Sequence, residues 1–445
     1  MSAGIATSET TGLPGQDRLE GALRRRRSRI DAAIDALVRT FSNPRGMITS
    51  CTIGLVAMGL VMVYSASAPT AYRFGAPTAL FEKQTLYALS GLLAFLFCSH
   101  FDYHRLGKRR QLLYGAGVLL LVATFIPHVG MTLNGARRWL GFAGITFQPA
   151  DWVKVSLTVM LAHLLAEKQS ILHHYWRGFV PPFVVFLLPW ALVIVQPDMG
   201  NAILLLLTCL AMMFVAGMPL RHLFTSAIPA VPVIALVVIK KGEYIQQRIL
   251  QWWGAAGSKE MIYQGKNYQV NMSLSGLAEG GWFGRGLGAS VLKVYHLPEA
   301  YNDFILAVVG EELGVAGLTF ILLLLGLIAF QGLRLAKRAP DMFGRLLALG
   351  ITFSITVQAM INLAVVTRSM PTKGISFPLV SYGGSSLVLT LAALGILCNV
   401  AKQTDIKAKP AQRGAEPYVE PAAEVRAALG RQEIAALKRE AGENA

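Results

Sequence analysis

Apolar stretches of roughly 18 to 25 residues follow one another along most of this chain, each long enough to cross about 30 Å of hydrocarbon at about 1.5 Å of rise per residue. That pattern restricts the fold class to an all-α polytopic membrane protein. Composition agrees with it: of 445 residues, 54% are hydrophobic and 15% are charged, a balance that no soluble domain carries. The first stretch follows some 46 polar and basic residues and is long enough to stay in the bilayer, so a retained span is expected here and not a cleaved signal.

Ten spans are expected, near 47–66, 84–101, 110–127, 149–166, 178–195, 199–217, 220–239, 303–330, 344–366 and 379–401. An even count puts both termini on one side. Arg24, Arg25, Arg26 and Arg27 of the N-terminal tail, Arg105, Lys108, Arg109 and Arg110 between the second and third spans, and Arg334, Lys337, Arg338 and Arg345 between the eighth and ninth then share that side. This is the positive-inside pattern, and it makes both tails cytoplasmic. The chain therefore divides into a basic tail over 1–46, a membrane domain over 47–401 and a polar tail over 402–445. External loops are expected at 67–83, 128–148, 196–198, 240–302 and 367–378, the fourth of them a large loop between helices 7 and 8.

The formal net charge of +16 does not imply nucleic acid, because the basic residues are spread among loops and tails with no stripe of interleaved aromatics. Cys51, Cys98, Cys209 and Cys398 lie in or beside apolar segments without a CxxC pair, so no disulfide, zinc site or cluster is expected. His163, His173, His174 and His296 show no ligand spacing. No Walker A sequence is present to drive transport with ATP.

Asp303 closes the polar loop and precedes a long apolar helix, which places a carboxylate where water meets lipid. A carboxylate at that depth can meet both a polar group and a lipid tail attached to it, and is a candidate catalytic residue. A carboxylate in the first turn of a helix also stabilises the positive end of the dipole, which is the commoner role. The preceding loop, Gly276-Leu277-Ala278-Glu279-Gly280-Gly281-Trp282-Phe283-Gly284-Arg285-Gly286-Leu287-Gly288, favours function, since glycines let backbone approach a ligand.

A second group of polar residues surrounds Asn134-Gly135-Ala136-Arg137-Arg138-Trp139 and Gln148-Pro149-Ala150-Asp151-Trp152-Val153-Lys154. Pro149 suits a first helical turn, and Asp151 and Lys154 then share a face, either as a neutralised ion pair or lining a watery cavity. Arg137 and Arg138 suit a phosphate-bearing headgroup, as do Arg368 and Lys373 on the 367–378 loop, and generic headgroup anchoring is the alternative for all four. Asp198, in Gln196-Pro197-Asp198-Met199-Gly200, is expected to cap the sixth helix and to line the cavity with even odds. Glu311 and Glu312 lie about 12 Å deeper than Asp303 along a helix, where buried pairing is the default.

Taken together, these motifs resemble the SEDS family of membrane glycosyltransferases (shape, elongation, division and sporulation proteins). Eight of them stand in family order: the 134–139 run, Gln148-Pro149 with Lys154, Gln196 to Gly200, Gly284-Arg285-Gly286-Leu287-Gly288, Leu297-Pro298-Glu299-Ala300, Asp303-Phe304, Gly310-Glu311-Glu312-Leu313-Gly314, and Pro378-Leu379-Val380-Ser381-Tyr382-Gly383-Gly384-Ser385-Ser386. Pro371-Thr372-Lys373-Gly374 and the long basic N-terminal tail look more like the division branch of the family than the elongation branch. Some positions depart from the family pattern: Ala150-Asp151 stands where Ser-Glu is usual, Ala278-Glu279 replaces a Gly-Ser step, Asn302 replaces Thr, and Arg368-Ser369 stands where Gly is common.

The resemblance implies a peptidoglycan glycosyltransferase that polymerises lipid II at the outer face of the bacterial cytoplasmic membrane, at the division septum. Asp303 would be the general base, and Arg137, Arg138, Lys154, Asp198, Arg368, Lys373, Ser381 and Ser385 would contact substrate. Asp151, Glu311 and Glu312 would support them. No cofactor is required by the sequence, and a divalent cation, Mg2+ or Mn2+, is left open. The partners it implies are a class B penicillin-binding protein supplying transpeptidation, other divisome membrane proteins, lipid II and the undecaprenyl pyrophosphate-linked glycan. The rival readings are a lipid II flippase, an elongation-type polymerase, another polyprenyl-linked sugar polymerase and a non-catalytic scaffold. A transporter wants its polar groups near the midplane between broken helices in paired halves.

Overall fold

Backbone N–H and C=O groups inside hydrocarbon have no water to bond, so each apolar run must close as a helix. In the computed structural model, which describes residues 43–73, 78–133, 136–142, 145–225, 231, 235, 268–295, 297, 300–371 and 374–413, they do. The helices are α1 (Pro44–Arg73), α2 (Ala79–His100), α3 (Tyr103–Lys108), α4 (Arg110–Ala123), α5 (Pro149–Glu167), α6 (Val180–Val195), α7 (Met199–Val215), α8 (Leu220–Thr225), α9 (Tyr268–Gly280), α10 (Leu292–Tyr295), α11 (Ile305–Arg338), α12 (Met342–Val366) and α13 (Gly384–Arg413). The chain is a polytopic helical membrane protein. Among the described residues five segments, Pro44–Ala68, Tyr175–Val195, Ile305–Arg338, Met342–Val366 and Gly384–Asp405, are long and apolar enough to cross a bilayer, and α4 and α7 are apolar but shorter.

Helix α5 explains why the pattern is uneven. It carries Asp151 and Lys154, yet it packs against α4, α6, α7 and α12, and most of its side chains are buried. A helix shielded from lipid by its neighbours tolerates charge that a lipid-facing one does not. The expected seventh span, 220–239, is seen as α8 at its start, and most of the remainder lies outside the described residues. So do the tails up to residue 42 and beyond 413, and the stretch 236–267 of the large loop.

Three features differ from an all-helical expectation with open loops. The segment 128–148 holds a three-stranded antiparallel sheet, β1 (Gly130–Leu133), β2 (Ala136–Phe142) and β3 (Ile145–Phe147), in the order β1-β2-β3. Leu140 pairs with Gly130 on one side and Phe147 on the other, and the register of β1 against β2 shifts between Met131 and Thr132, where Arg138 of β2 is the extra residue of a bulge. The end of the expected 240–302 loop holds α9, which packs on α11 and ties to α12 through Ser273 Oγ donating to the Val366 carbonyl at 2.9 Å. Its glycines read as loop, but Gly276 and Gly280 lie four apart on one helical face, where small residues let helices approach. The last span opens at Gly384 and not near 379, because Phe377 and Ser381 close a turn on each other: the Phe377 amide donates to Ser381 Oγ at 2.8 Å and the Ser381 amide to the Phe377 carbonyl at 3.1 Å.

Helix α11 is broken at Gly314, whose φ of 68° is left-handed. The glycine loop fills the break. Arg285 N donates to the Glu311 carbonyl at 2.9 Å and Gly286 N to the Glu312 carbonyl at 3.0 Å, while Val315 N and Ala316 N donate to the Gly281 and Trp282 carbonyls, each at 3.0 Å. Four bonds to the loop thus replace the i→i−4 bonds that the helix gives up. A Cβ on Gly284 would sit 2.1 Å from the Glu312 carbonyl oxygen, so only glycine fits where loop and helix meet.

Under this junction Glu311 and Glu312 are both 0% exposed. Glu312 accepts from Lys293 Nζ at 2.6 Å, from Ser65 Oγ at 2.8 Å and from the Gly288 amide at 3.1 Å. Glu311 accepts from Ser290 Oγ and from the Val291 amide at 2.8 Å, with Arg285 Nη1 at 3.6 Å. Buried pairing, expected from the sequence, is what the two glutamates do. Removing one partner of such a pair strands a charge at a cost of about 3–5 kcal/mol, whereas an apolar replacement of both is close to neutral. Lys293→Met is therefore expected to lower the unfolding midpoint of the detergent-purified chain sharply, and Lys293→Met with Glu312→Leu to recover most of the loss. Equal losses in the single and double variants would show that the pair is not what holds the junction.

Candidate functional site

The N-terminal ends of α5, α7 and α13 and the turn before α11 meet beside the small sheet, and polar side chains knit them together. Asp198 caps α7, accepting from the Asn201 amide at 3.2 Å, and also accepts from Asn201 Nδ2 at 2.8 Å and Gln148 Nε2 at 3.0 Å. Ser385 Oγ, at the start of α13, donates to Asp151 Oδ2 at 2.9 Å and accepts from the Gln148 amide at 3.1 Å. Tyr382 N donates to the Tyr301 carbonyl at 2.9 Å, and the two rings meet edge to face at 5.6 Å. Gln84 of α2 completes the frame through the Ser381 carbonyl at 3.2 Å.

This frame borders a cavity of about 240 Å³ lined on one side by Trp139, Thr146 and Gln148, and on the other by Tyr301, Asn302, Asp303, Gly374, Ser376, Tyr382, Gly383, Gly384 and Ser386. Asp303 is half-buried in its wall. It does not cap α11, because Phe304 occupies the N-cap position and Ile305 begins the helix. Its carbonyl is held by Asn362 Nδ2 of α12 at 2.9 Å. A Cβ on Gly374 would lie 3.3 Å from Asp303 Oδ2, so the glycine leaves the carboxylate its room. Helix N-termini turned toward one cavity favour a negatively charged ligand there.

Lys154 sits one layer deeper. Its Nζ is 2.7 Å from Asp151 Oδ1 and donates to Gln358 Oε1 at 3.0 Å, with the two charged side chains 10% and 3% exposed. The ion pair, one of the two alternatives the spacing left open, has formed, and it borders a separate space of about 30 Å³ with Thr158, Ser354 and Thr390. Ser386 lines both spaces, so the amine adjoins the Asp303 cavity without lining it.

The remaining residues expected to touch substrate divide in two. Arg138 is the extra residue of the bulge and holds the turn before α7 through the Gln196 and Pro197 carbonyls at 3.2 and 2.6 Å. Ser381, Ser385 and Asp198 likewise bond protein partners and are buried, which makes them parts of the frame. Arg137 is exposed, its Nε donating to Thr132 Oγ1 at 3.4 Å, and it does not line the cavity. Arg368 follows α12 with a left-handed φ of 59°. Lys373 lies outside the described residues, as do Asn134, Gly135, Pro298 and Glu299. Among the described residues no three His, Cys, Asp or Glu side chains gather to hold a metal ion.

Sequence reasoning missed the amides. Gln84, Gln148, Gln358 and Asn362 all bond across helices here. Gln358 and Asn362 stand four apart in a span whose other polar residues past Arg345 are the small hydroxyls Thr352, Ser354 and Thr356, and polar side chains at such depth face the bundle interior. That spacing was the available signal.

Residues 45–406 match the FtsW/RodA/SpoVE family, described as cell cycle proteins. Among curated proteins, stage V sporulation protein E of Bacillus subtilis is 38% identical over 367 residues, covering 81% of this chain and 98% of the relative. A probable peptidoglycan glycosyltransferase FtsW of Geobacter sp. strain M18 is 37% identical over 351 residues, covering 78% of this chain and 94% of that protein. Among solved structures, a chain from a peptidoglycan synthase complex that coordinates polymerisation and crosslinking aligns with a TM-score of 0.66 at 28% identity, covering 80% of this chain and 97% of that one. The rod shape determining protein RodA of Thermus thermophilus aligns with a TM-score of 0.58 at 27% identity, covering 80% and 96%.

The end of α12 supplies a test of the local backbone. Arg368 N donates to the Val365 carbonyl at 3.0 Å and Ser369 N to the Ala364 carbonyl at 2.7 Å, the paired bonds of a Schellman ending, whose left-handed position favours glycine. A side chain there costs about 1–2 kcal/mol. Arg368→Gly is expected to raise the thermal unfolding midpoint. A fall would show that contacts of the Arg368 side chain outweigh the backbone cost.

Proposed function

Because this chain belongs to the FtsW/RodA/SpoVE family of membrane-embedded cell cycle proteins, we propose that it is a peptidoglycan glycosyltransferase that joins lipid II units, with Asp303 as general base. The observation that carries the reading is the half-buried Asp303 carboxylate in the wall of a cavity of about 240 Å³ whose other groups are aromatic faces, hydroxyls and amides. Such a lining, apolar planes with a few fixed polar groups, suits a sugar ring.

In this reading ten spans put both tails in the cytoplasm and open the cavity to the outer face of the cytoplasmic membrane, following the positive-inside rule. The growing strand on undecaprenyl pyrophosphate is the donor. The 4-hydroxyl of the GlcNAc on an incoming lipid II is the acceptor. An alcohol is a weak nucleophile near neutral pH, so Asp303 takes its proton as the new C–O bond forms. Attack from the face opposite the leaving pyrophosphate inverts the anomeric carbon and gives a β-1,4 link, and the bonding pair leaves with the pyrophosphate. Charge accumulates on that leaving group, and fixed cations and helix N-termini stabilise it without reorganising. Arg137, two residues before Trp139 on β2, and Lys154 behind Ser386 are the leading candidates, with Arg368 and Lys373 on the loop after α12.

A division role at the septum, beside a class B penicillin-binding protein that crosslinks the product and with other divisome membrane proteins, completes the proposal. The likeness to a chain of a solved peptidoglycan synthase complex supports the crosslinking partner. A transporter would place its polar groups near the midplane, and here they gather where helices begin.

Asp303→Asn keeps the shape of the side chain and removes the base. With purified lipid II, and with the partner transpeptidase present, the variant is expected to lose at least about 10²-fold in polymer formation while its unfolding midpoint stays within a few degrees. Polymer at the wild-type rate from this variant would reject the assignment of Asp303.

A further inference from the structure

We propose that Gln358 and Asn362 of α12 are positioning residues that hold the two halves of the transfer site, Lys154 on α5 and Asp303 ahead of α11, in register. The inference rests on the glycosyl-transfer reading above and extends it to residues that neither touch the main cavity nor carry charge.

The two amides stand at i and i+4 and therefore share one face of α12. Each joins segments that share no helix. Gln358 accepts from Lys154 Nζ at 3.0 Å and donates from Nε2 to the Ser376 carbonyl at 2.9 Å. Asn362 donates from Nδ2 to the Asp303 carbonyl at 2.9 Å and to the Ile375 carbonyl at 2.7 Å. Ser376 and Asp303 line the larger cavity, and Gln358 and Lys154 line the smaller one. One helical face thus grips the amine on one side, the carboxylate-bearing turn on the other, and the 375–376 strand of chain between them.

Chemistry fixes the orientation of both amides. An ammonium only donates and a carbonyl only accepts, so Gln358 must present oxygen to Lys154 and nitrogen to Ser376, and Asn362 must present nitrogen to both carbonyls. Asn362 is 1% exposed, and its Oδ1 has no partner among the described residues. A residue that merely filled this space would be better apolar, since an unpaired buried oxygen is unfavourable. The amide earns its place by tethering the Asp303 main chain. Lys154 already pairs with Asp151 on its own helix at 2.7 Å, and Gln358 is the partner that ties the ammonium to α12. Without that bond the ammonium keeps its charge partner but loses its fixed direction relative to α12 and the Ser376 carbonyl.

Five full-length chains, each purified with its partner transpeptidase, test this: wild type, Asp303→Asn, Gln358→Met, Asn362→Leu and Asn362→Asp. Labelled lipid II binding gives the fraction of competent sites, and polymer formation gives kcat and KM. Misplacement of a reacting group by about 1 Å costs on the order of 10²-fold in rate. Gln358→Met and Asn362→Leu are therefore expected to lower kcat per binding-competent site by at least about 10-fold, with KM within about threefold of wild type. Asn362→Asp, which sets a carboxylate oxygen against two carbonyls, is expected to be as impaired as Asn362→Leu despite its near-identical shape. A purely structural role would instead lower the binding stoichiometry and leave turnover per bound site unchanged, and that result overturns the inference. Full kcat in both amide variants alongside an inactive Asp303→Asn chain also overturns it, and leaves the function intact. A wild-type chain that makes no polymer, alone or with its partner, overturns the reading on which both stand.

Discussion

Charge is scarce inside this bundle because lipid gives it nothing to bond, and every buried ionic group described here is answered by a side chain or amide from another segment. Glu312 meets Lys293, Ser65 and the Gly288 amide, and Asp151 meets Lys154 and Ser385. The desolvation of these groups would be ruinous singly and is offset only when all partners are present at once. They therefore fix how α1, α5, α11 and α13 stand relative to one another more stringently than the apolar contacts around them. Leucine against leucine tolerates sliding; a carboxylate with three donors does not.

The same requirement shapes the ends of the helices. Asp198 satisfies the start of α7 and at the same time receives Gln148 from the residue before α5. Ser385 does the equivalent between α13 and α5. Helix ends are where main-chain groups lack partners, so linking ends to ends satisfies several of them with few side chains. It also gathers positive helix termini around one cavity, in whose wall the Asp303 carboxylate sits.

Much of this was legible in the sequence. The apolar runs specified helices, the Gln196 to Gly200 turn specified a cap at Asp198, and Asp151 with Lys154 at helical spacing specified a shared face, as an ion pair or as cavity lining. These are local relations, set by residues within one turn of each other. What escaped were relations between distant segments. Arg138 looked like a headgroup ligand because nothing in its own strand shows that the Gln196 and Pro197 carbonyls come to meet it. The sheet over 130–147 lay hidden in a stretch read as loop, since strand pairing depends on register with a neighbour and not on a run of residues. Glycines at 276 and 280 were read as loop-makers, although their helical spacing lets α9 lie close on α11. The amides Gln358 and Asn362 were passed over because an uncharged side chain in a span draws less notice than a lysine, yet its need for a partner is of the same kind.

The interruption of α11 separates that long element into two mechanical pieces. Above Gly314, the segment that follows Asp303 is bonded to the glycine loop and, through its glutamates, to α10 and α1; below it, the segment runs on as an ordinary helix to Arg338. No continuous ladder of main-chain bonds crosses the boundary. Bending of the lower piece by the surrounding bilayer, whose thickness and tension vary, is thus poorly transmitted upward, and the geometry around the carboxylate is insulated from the membrane that houses it.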